Sequence, residues 1–128
     1  MQALRISKTF QTPSVVFDPA ESIFELSGNS LPNNPHWFYM PILEWLDGYA
    51  ENPNPETIFV FRLSHQNSST KKMFYEILKV INRIHVSGYR VRLDWYFPAD
   101  DEDLLQTGVE FEKAFSFPLH TIPVEIPG

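Results

Sequence analysis

The sequence predicts an α/β domain, a mixed sheet of four to five strands with an N-terminal hairpin and three main helices in the order ββαβαβαβ. Three observations carry this. The β-forming runs "SVVFD" (Ser14–Asp18) and "SIFELSG" (Ser22–Gly28) are separated by only "PAE", which reads as an antiparallel hairpin. Beyond them, runs of branched and aromatic residues alternate with stretches whose apolar residues recur every three to four positions, the marks of strands and helices respectively. Those helical stretches are long enough to form right-handed crossovers between parallel strands.

Each element has its own local reason. In the second strand Ile23 alternates against Phe24 and Leu26, so the Phe24 and Leu26 side faces the core. Asn34 is placed to cap a helix with Pro35 in its first position, and Phe38, Ile42, Trp45, Leu46 and Tyr49 form its apolar stripe. Pro41 kinks this helix or marks its true start; Gly48 and "ENPNP" close it. Trp37 falls off the stripe, which makes it exposed and a candidate for partner contact. "TIFVFRL" (Thr57–Leu63) is nearly continuous in apolar residues, as in a central strand covered on both faces. From about residue 69 to 86 a helix buries Met73, Phe74, Ile77, Leu78, Ile81 and Ile84, turns Lys72, Glu76, Lys79 and Arg83 outward, and stops at Gly88, a position suited to a left-handed cap. "VRLDWYF" (Val91–Phe97) is a further strand. "PADDEDLLQTGVEFEKAF" is a third helix with Leu104, Leu105, Phe111 and Phe115 inward. "LHTIPVEI" (Leu119–Ile126) is an edge strand, where Pro123 is tolerated.

Bulk properties narrow the function. A chain of 128 residues reads as one domain over 1–128, and 43% hydrophobic content supports a packed core rather than disorder. No run reaches the roughly 18–20 apolar residues of a membrane span, and the N-terminus lacks the apolar segment of a signal peptide. The absence of cysteine excludes disulfides and thiolate metal sites and suits the cytoplasm. A net charge of −6 argues against nucleic-acid and membrane-surface partners, which require clustered Lys and Arg.

Few residues carry chemistry. "DDED" (Asp100–Asp103) reads as a solvated helix start complementing the dipole, because consecutive helical residues diverge by about 100° and cannot converge on a cation. His36, His65, His85 and His120 have no ligand spacing, so neither a metal nor a cofactor is expected. The five glycines form no phosphate-binding loop. One cluster remains: "NSSTKK" (Asn67–Lys72), at the junction of a strand and a helix. Asn, Ser and Thr there are suited to capping. A hydroxyl at a helix N-terminus beside Lys71 and Lys72 is also a favourable seat for a phosphate. Two other readings stay open: a small serine hydrolase pairing Ser68 or Ser69 with His65, and a purely structural interaction domain.

The chain resembles the SiaC-like regulatory phosphoproteins, STAS-like proteins related in architecture to anti-sigma-factor antagonists. The resemblance rests on "GNSLPNN" with Gly28, Ser30, Pro32 and Asn34, on Trp45, on Asn67–Lys72, on Trp95–Tyr96 and on "FSFP" (Phe115–Pro118). It implies a STAS-like, non-enzymatic switch of partner-switching type. It further implies phosphorylation at Ser68 by a cognate protein kinase, removal of the group by a phosphatase, and activation of a diguanylate cyclase or another regulatory protein by the unmodified form, in cyclic-di-GMP signalling and biofilm formation. Asn67, Ser69 and Thr70 would shape the phosphosite turn, with Lys71 and Lys72 as phosphate or partner contacts. Ser68 stands where the family block carries threonine, Asn67 where the anti-sigma antagonists carry aspartate, and Thr70 where many of those have glycine.

Overall fold

Nine elements follow one another in the computed structural model, which describes residues 1–125: β1 (Leu4–Ile6), β2 (Ser14–Asp18), β3 (Ile23–Ser30), α1 (Pro35–Glu51), β4 (Glu56–Gln66), α2 (Ser68–Val86), β5 (Arg90–Pro98), α3 (Glu102–Ala114) and β6 (Leu119–Val124). The alternating α/β plan, the hairpin and the three helices stand as expected. The strand count does not: the sheet has six strands, and the order is βββαβαβαβ. The additional strand is β1, three residues paired antiparallel to β2 at the sheet edge. It is too short to show a period, and its pairing with β2 and the 2.6 Å bridge from Arg5 to Asp18 hold it in place. At the other edge β6 ends at Val124; Ile126, expected to close that strand, lies outside the described residues.

Strands β1 to β3 are antiparallel and β3 to β6 parallel, and the spatial order is the chain order, β1-β2-β3-β4-β5-β6. That order has a geometric consequence. Right-handed crossovers that always step in the same direction place every helix on the same face of the sheet. β4 is therefore covered on one side, not both. Its Thr57, Phe59, Phe61 and Leu63 are buried, whereas Ile58 and Val60 are half-buried and Arg62 and Ser64 exposed. The helix-free side is polar: Arg62 lies 4.1 Å over the Tyr96 ring and 3.3 Å from Glu25, and Arg92 bridges to Asp94.

The core fills the helix side. α1 is capped by the Asn34 side chain at Trp37 N, with Pro35 opening the helix as expected. Its true start is thus Pro35, and Pro41 is carried inside. Gly48 is also internal, and the helix runs on to Glu51. Ile42, Leu46 and Tyr49 are buried, Phe38 and Trp45 partly so, and Tyr39 joins the buried set. Trp37 is 75% exposed. α2 buries all six expected residues together with Thr70 and Val80, and Gly88 takes φ +101 past its end.

α3 corrects the reading of its own face. Asp101 is the cap, accepting from Leu104 N at 2.9 Å. The buried positions are Leu104, Thr107, Gly108 and Phe111, spaced i, i+3, i+4, i+7. Leu105, about 100° round from Leu104, is 39% exposed rather than inward. Phe115 is half-buried just past the helix. The approach of α3 to the sheet is set by Trp95, whose indole N–H donates to Leu104 O at 3.0 Å, and by Gly108, where an added Cβ would lie 2.8 Å from Trp95 Cδ1 and 2.9 Å from Thr121 Cγ2.

Gly108→Ala therefore tests the packing against helix propensity. Propensity alone favours Ala by about 1 kcal/mol, while overpacking costs roughly 1–3 kcal/mol. The expected outcome in chemical denaturation is net destabilisation, of up to about 2 kcal/mol. A more stable variant would show that α3 can move off Trp95 freely.

Candidate functional site

The start of α2 is built from two segments far apart in sequence. β3 and β4 change register between Gly28 and Asn29: Gly28 pairs with Leu63 but Asn29 pairs with His65, so one residue of β4 is passed over. Gly28 holds φ +123 at this point, a conformation that a side chain disfavours. The shift extends β3 to Ser30 and β4 to Gln66, two and three residues past their expected ends. Those extensions are polar (Asn29, Ser30, Ser64, His65, Gln66) and become strand by ladder pairing, not by apolar patterning.

Ser30 is the centre of the junction. Its carbonyl accepts from Asn67 N at 3.2 Å and lies 3.0 Å from Thr70 Oγ1. Its hydroxyl is 2.5 Å from Tyr39 OH on α1. Burial pushes the Tyr39 phenol far above its ordinary range, with the Ser30 bond only partly opposing that shift, so it stays neutral as an internal hydrogen-bonding group. Asn67 caps α2: its Oδ1 accepts from Thr70 N at 3.0 Å and from Ser69 Oγ at 3.0 Å. Thr70 Oγ1 is also 2.5 Å from that oxygen, so its one proton serves either Ser30 or Asn67. Nearby, Gln66 Nε2 donates to Thr107 of α3 at 2.8 Å.

The three hydroxyls of this block thus have different surroundings. Thr70 is fully buried, Ser69 is exposed but bonded to the cap, and Ser68 is exposed with no hydrogen-bond partner for its hydroxyl among the described residues. Ser68 lines a groove of about 620 Å³ between α2 and α3 with Lys71, Lys72, Tyr75, Glu110 and Phe111. Ser69 lines a second groove, of about 490 Å³, between α1 and α2 with Pro35, Met40, Leu43, Lys72 and Met73. The first turn of α2 is a polar ridge between two largely apolar grooves, and Lys72 borders both.

Of the two lysines, Lys72 is exposed, whereas Lys71 is engaged: its Nζ lies 2.5 Å from Glu110 Oε2 on α3. That bond holds the Glu110 carboxyl below the usual carboxylate range. Glu110 belongs to the site, and sequence reasoning missed it because the contact exists only once α3 has docked. Tyr39, and the role of Ser30 within "GNSLPNN", were missed for a related reason: they act through a buried phenol and a backbone carbonyl, which no side-chain pattern reveals. His65 does not join the serines. Its Nδ1 is 2.9 Å from Asn29 Oδ1, and it lines a separate cavity with Arg62 and Tyr96 on the helix-free side, so the pairing a serine hydrolase requires is not assembled.

Comparison with known proteins agrees with this architecture. Residues 6–124 match the family described as SiaC family regulatory phosphoprotein. An uncharacterized protein of Pseudomonas aeruginosa (strain UCBPP-PA14) is 25% identical over 118 residues, covering 92% of this chain and 94% of that protein. The crystal structure of apo-SiaC from Pseudomonas aeruginosa superposes with a TM-score of 0.85 at 24% identity, over 95% of this chain and 99% of that one. A chain in the crystal structure of diguanylate cyclase SiaD in complex with its activator SiaC, from the same organism, gives a TM-score of 0.84 at 24% identity, over 94% and 99% of the two chains. At this identity the superpositions establish the fold.

The cap and the free hydroxyl separate experimentally. Asn67→Ala should destabilise the protein by about 1–2 kcal/mol through loss of the N-cap, and Asn67→Asp should recover most of it. Ser68→Ala should stay within about 0.5 kcal/mol of the parent. Urea titrations of the three variants check both; a Ser68→Ala loss as large as that of Asn67→Ala would place Ser68 in the cap.

Proposed function

The chain belongs to the SiaC family of regulatory phosphoproteins, and we propose that it is a non-enzymatic switch whose unmodified form binds and activates a diguanylate cyclase and whose Ser68 is reversibly phosphorylated to end that binding. The cyclase enters by analogy with the activator role that SiaC has in its complex with SiaD. A cognate protein kinase and a phosphatase complete the cycle, and its nucleotide-dependent steps fit a cytoplasmic protein. Among the described residues no helix is long and apolar enough to cross a membrane.

The observation that carries this reading is the contrast among three neighbouring hydroxyls. Only Ser68 combines exposure with an unengaged oxygen; Ser69 is part of the cap, and Thr70 is internal. A phosphate on Ser68 adds about −1.5 to −2 charges at a helix N-terminus, where the dipole favours an anion by some 0.3–1 kcal/mol. Lys72 is near enough in helical spacing, i to i+4, to contribute a further contact. The folded state therefore tolerates the modification. A docked partner does not, because unfavourable charge placed at an interface costs several kcal/mol. The modification acts on the surface of an unchanged fold. The roles of Asn67, Ser69 and Thr70 follow: they hold the turn that presents Ser68.

Ser68→Ala should retain cyclase binding and activation while accepting no phosphate. Ser68→Asp should weaken binding at least tenfold, with a melting temperature within a few degrees of the parent. Titration calorimetry with the cyclase and intact-mass analysis after incubation with the kinase check these outcomes. Phosphate appearing on Ser68→Ala at the parental rate would remove Ser68 as the acceptor.

A further inference from the structure

We propose that Lys71 relays the state of residue 68 to α3: an anion on Ser68 draws the Lys71 ammonium away from Glu110 and leaves the Glu110 carboxylate without its counter-ion on the groove wall. This deepens the switch reading and rests on Ser68 as the modified residue.

The geometry supplies each part. Ser68 and Lys71 are i and i+3 on α2, neighbours on one helix face at about 5–6 Å between Cβ atoms, and both line the groove that Glu110 closes from α3. The Lys71–Glu110 bridge spans the two helices beside the packing of Tyr75 on Phe111 and Phe115, with ring centroids 6.4 and 5.2 Å apart, and both charged side chains are part-exposed, at 39% and 46%. The ammonium is a compact charge with three donors on a flexible stem, so it can turn from one acceptor to the other with no backbone change. The competition is uneven. Glu110 offers a single negative charge on a separate helix and, among the described residues, is further engaged only by Gln106 at 3.5 Å. An anion at residue 68 lies on the same helix, one turn away, so even the single charge of an aspartate competes, and a phosphate there offers up to two.

The remaining charged groups on the groove are Lys72 and Glu76. Lys72 is the alternative recipient of the anion, and a transfer to Lys72 alone would leave Glu110 paired. If Lys71 moves, the groove changes by more than the phosphate itself, because Glu110 loses its counter-ion at the same time, while Glu76, the other carboxylate on the groove, keeps Lys79 at 3.3 Å. The groove passes from two lysines and two carboxylates to the same four groups with a phosphate added and Glu110 no longer paired. The present state of Glu110, held low in titration by Lys71, supplies a direct readout.

Carbon-13 side-chain NMR titration of the Glu110 carboxyl, on the full chain, tests the relay. The variants are Lys71→Met, Ser68→Asp and the double variant, with Lys72→Met as a control. Lys71→Met should shift the Glu110 midpoint upward, Ser68→Asp should shift it the same way, and the double variant should add little beyond Lys71→Met. Lys72→Met should leave the response to Ser68→Asp intact. An unmoved midpoint in Ser68→Asp, or an equal further rise when Lys71 is already absent, would overturn the relay; the latter would show direct repulsion instead. Because Ser68→Asp needs no kinase, the relay can fail while phosphorylation of Ser68 stands, and the reverse holds as well.

Discussion

The carbonyl oxygen of Ser30 is the point on which the site depends. It receives Asn67 N and Thr70 Oγ1, while the hydroxyl of the same residue meets Tyr39. β3, α1 and the β4–α2 turn are joined there by bonds among groups of which Ser30, Tyr39 and Thr70 are fully buried. Leaving such a buried donor or acceptor unsatisfied costs about 1–3 kcal/mol, so the start of α2 has a single low-energy placement. The placement turns the side chain of residue 70 inward and that of residue 68 outward. What looks like a run of interchangeable hydroxyls is divided by the fold into an anchor, a cap partner and a free surface group.

The second constraint lies on the far side of the same helix. Trp95 and Gly108 bring α3 close to the sheet, and that closeness puts Glu110 within reach of Lys71. A wider stand-off of α3 would open the groove and remove the ion pair together. Core packing and surface charge are therefore connected here through one glycine and one indole. The monotone strand order adds a third element. With all helices gathered on one face, the grooves on both sides of α2 lie on the helical surface, and the other sheet face presents the Arg62, Glu25, Arg92 and Asp94 pairs instead.

Much of this was legible in the sequence. The β2–β3 hairpin, the Asn34 cap, the buried face of α2 and the Gly88 stop all rest on local chemistry, and local chemistry is what a sequence displays. β1 was hidden because three residues carry no period. The polar ends of β3 and β4 were hidden because hydrogen-bond pairing, not burial, makes them strands. Leu105 was misplaced because the face that docks on Trp95 runs through Leu104, Thr107, Gly108 and Phe111, and Thr107 and Gly108 do not mark it as apolar. The coverage of β4 was overstated because a long apolar run does not distinguish a strand buried on both sides from one half-covered by its neighbours. At the site, the block at Asn67–Lys72 stood out by composition and resemblance. Its partners Ser30, Tyr39 and Glu110 are spatial, and "GNSLPNN" gave no sign that it would meet "NSSTKK" in one hydrogen-bonded junction.

The inward turn of Thr70 has an outcome for any enzyme that transfers a group to this segment. The unfolded polypeptide presents three adjacent alcohols of nearly equal reactivity, and a catalyst reading only local sequence would have to choose among them. The native protein withdraws Thr70 and ties Ser69 to Asn67. Much of the choosing is then done by the substrate's own tertiary structure, and a sloppy active site still reaches a defined address.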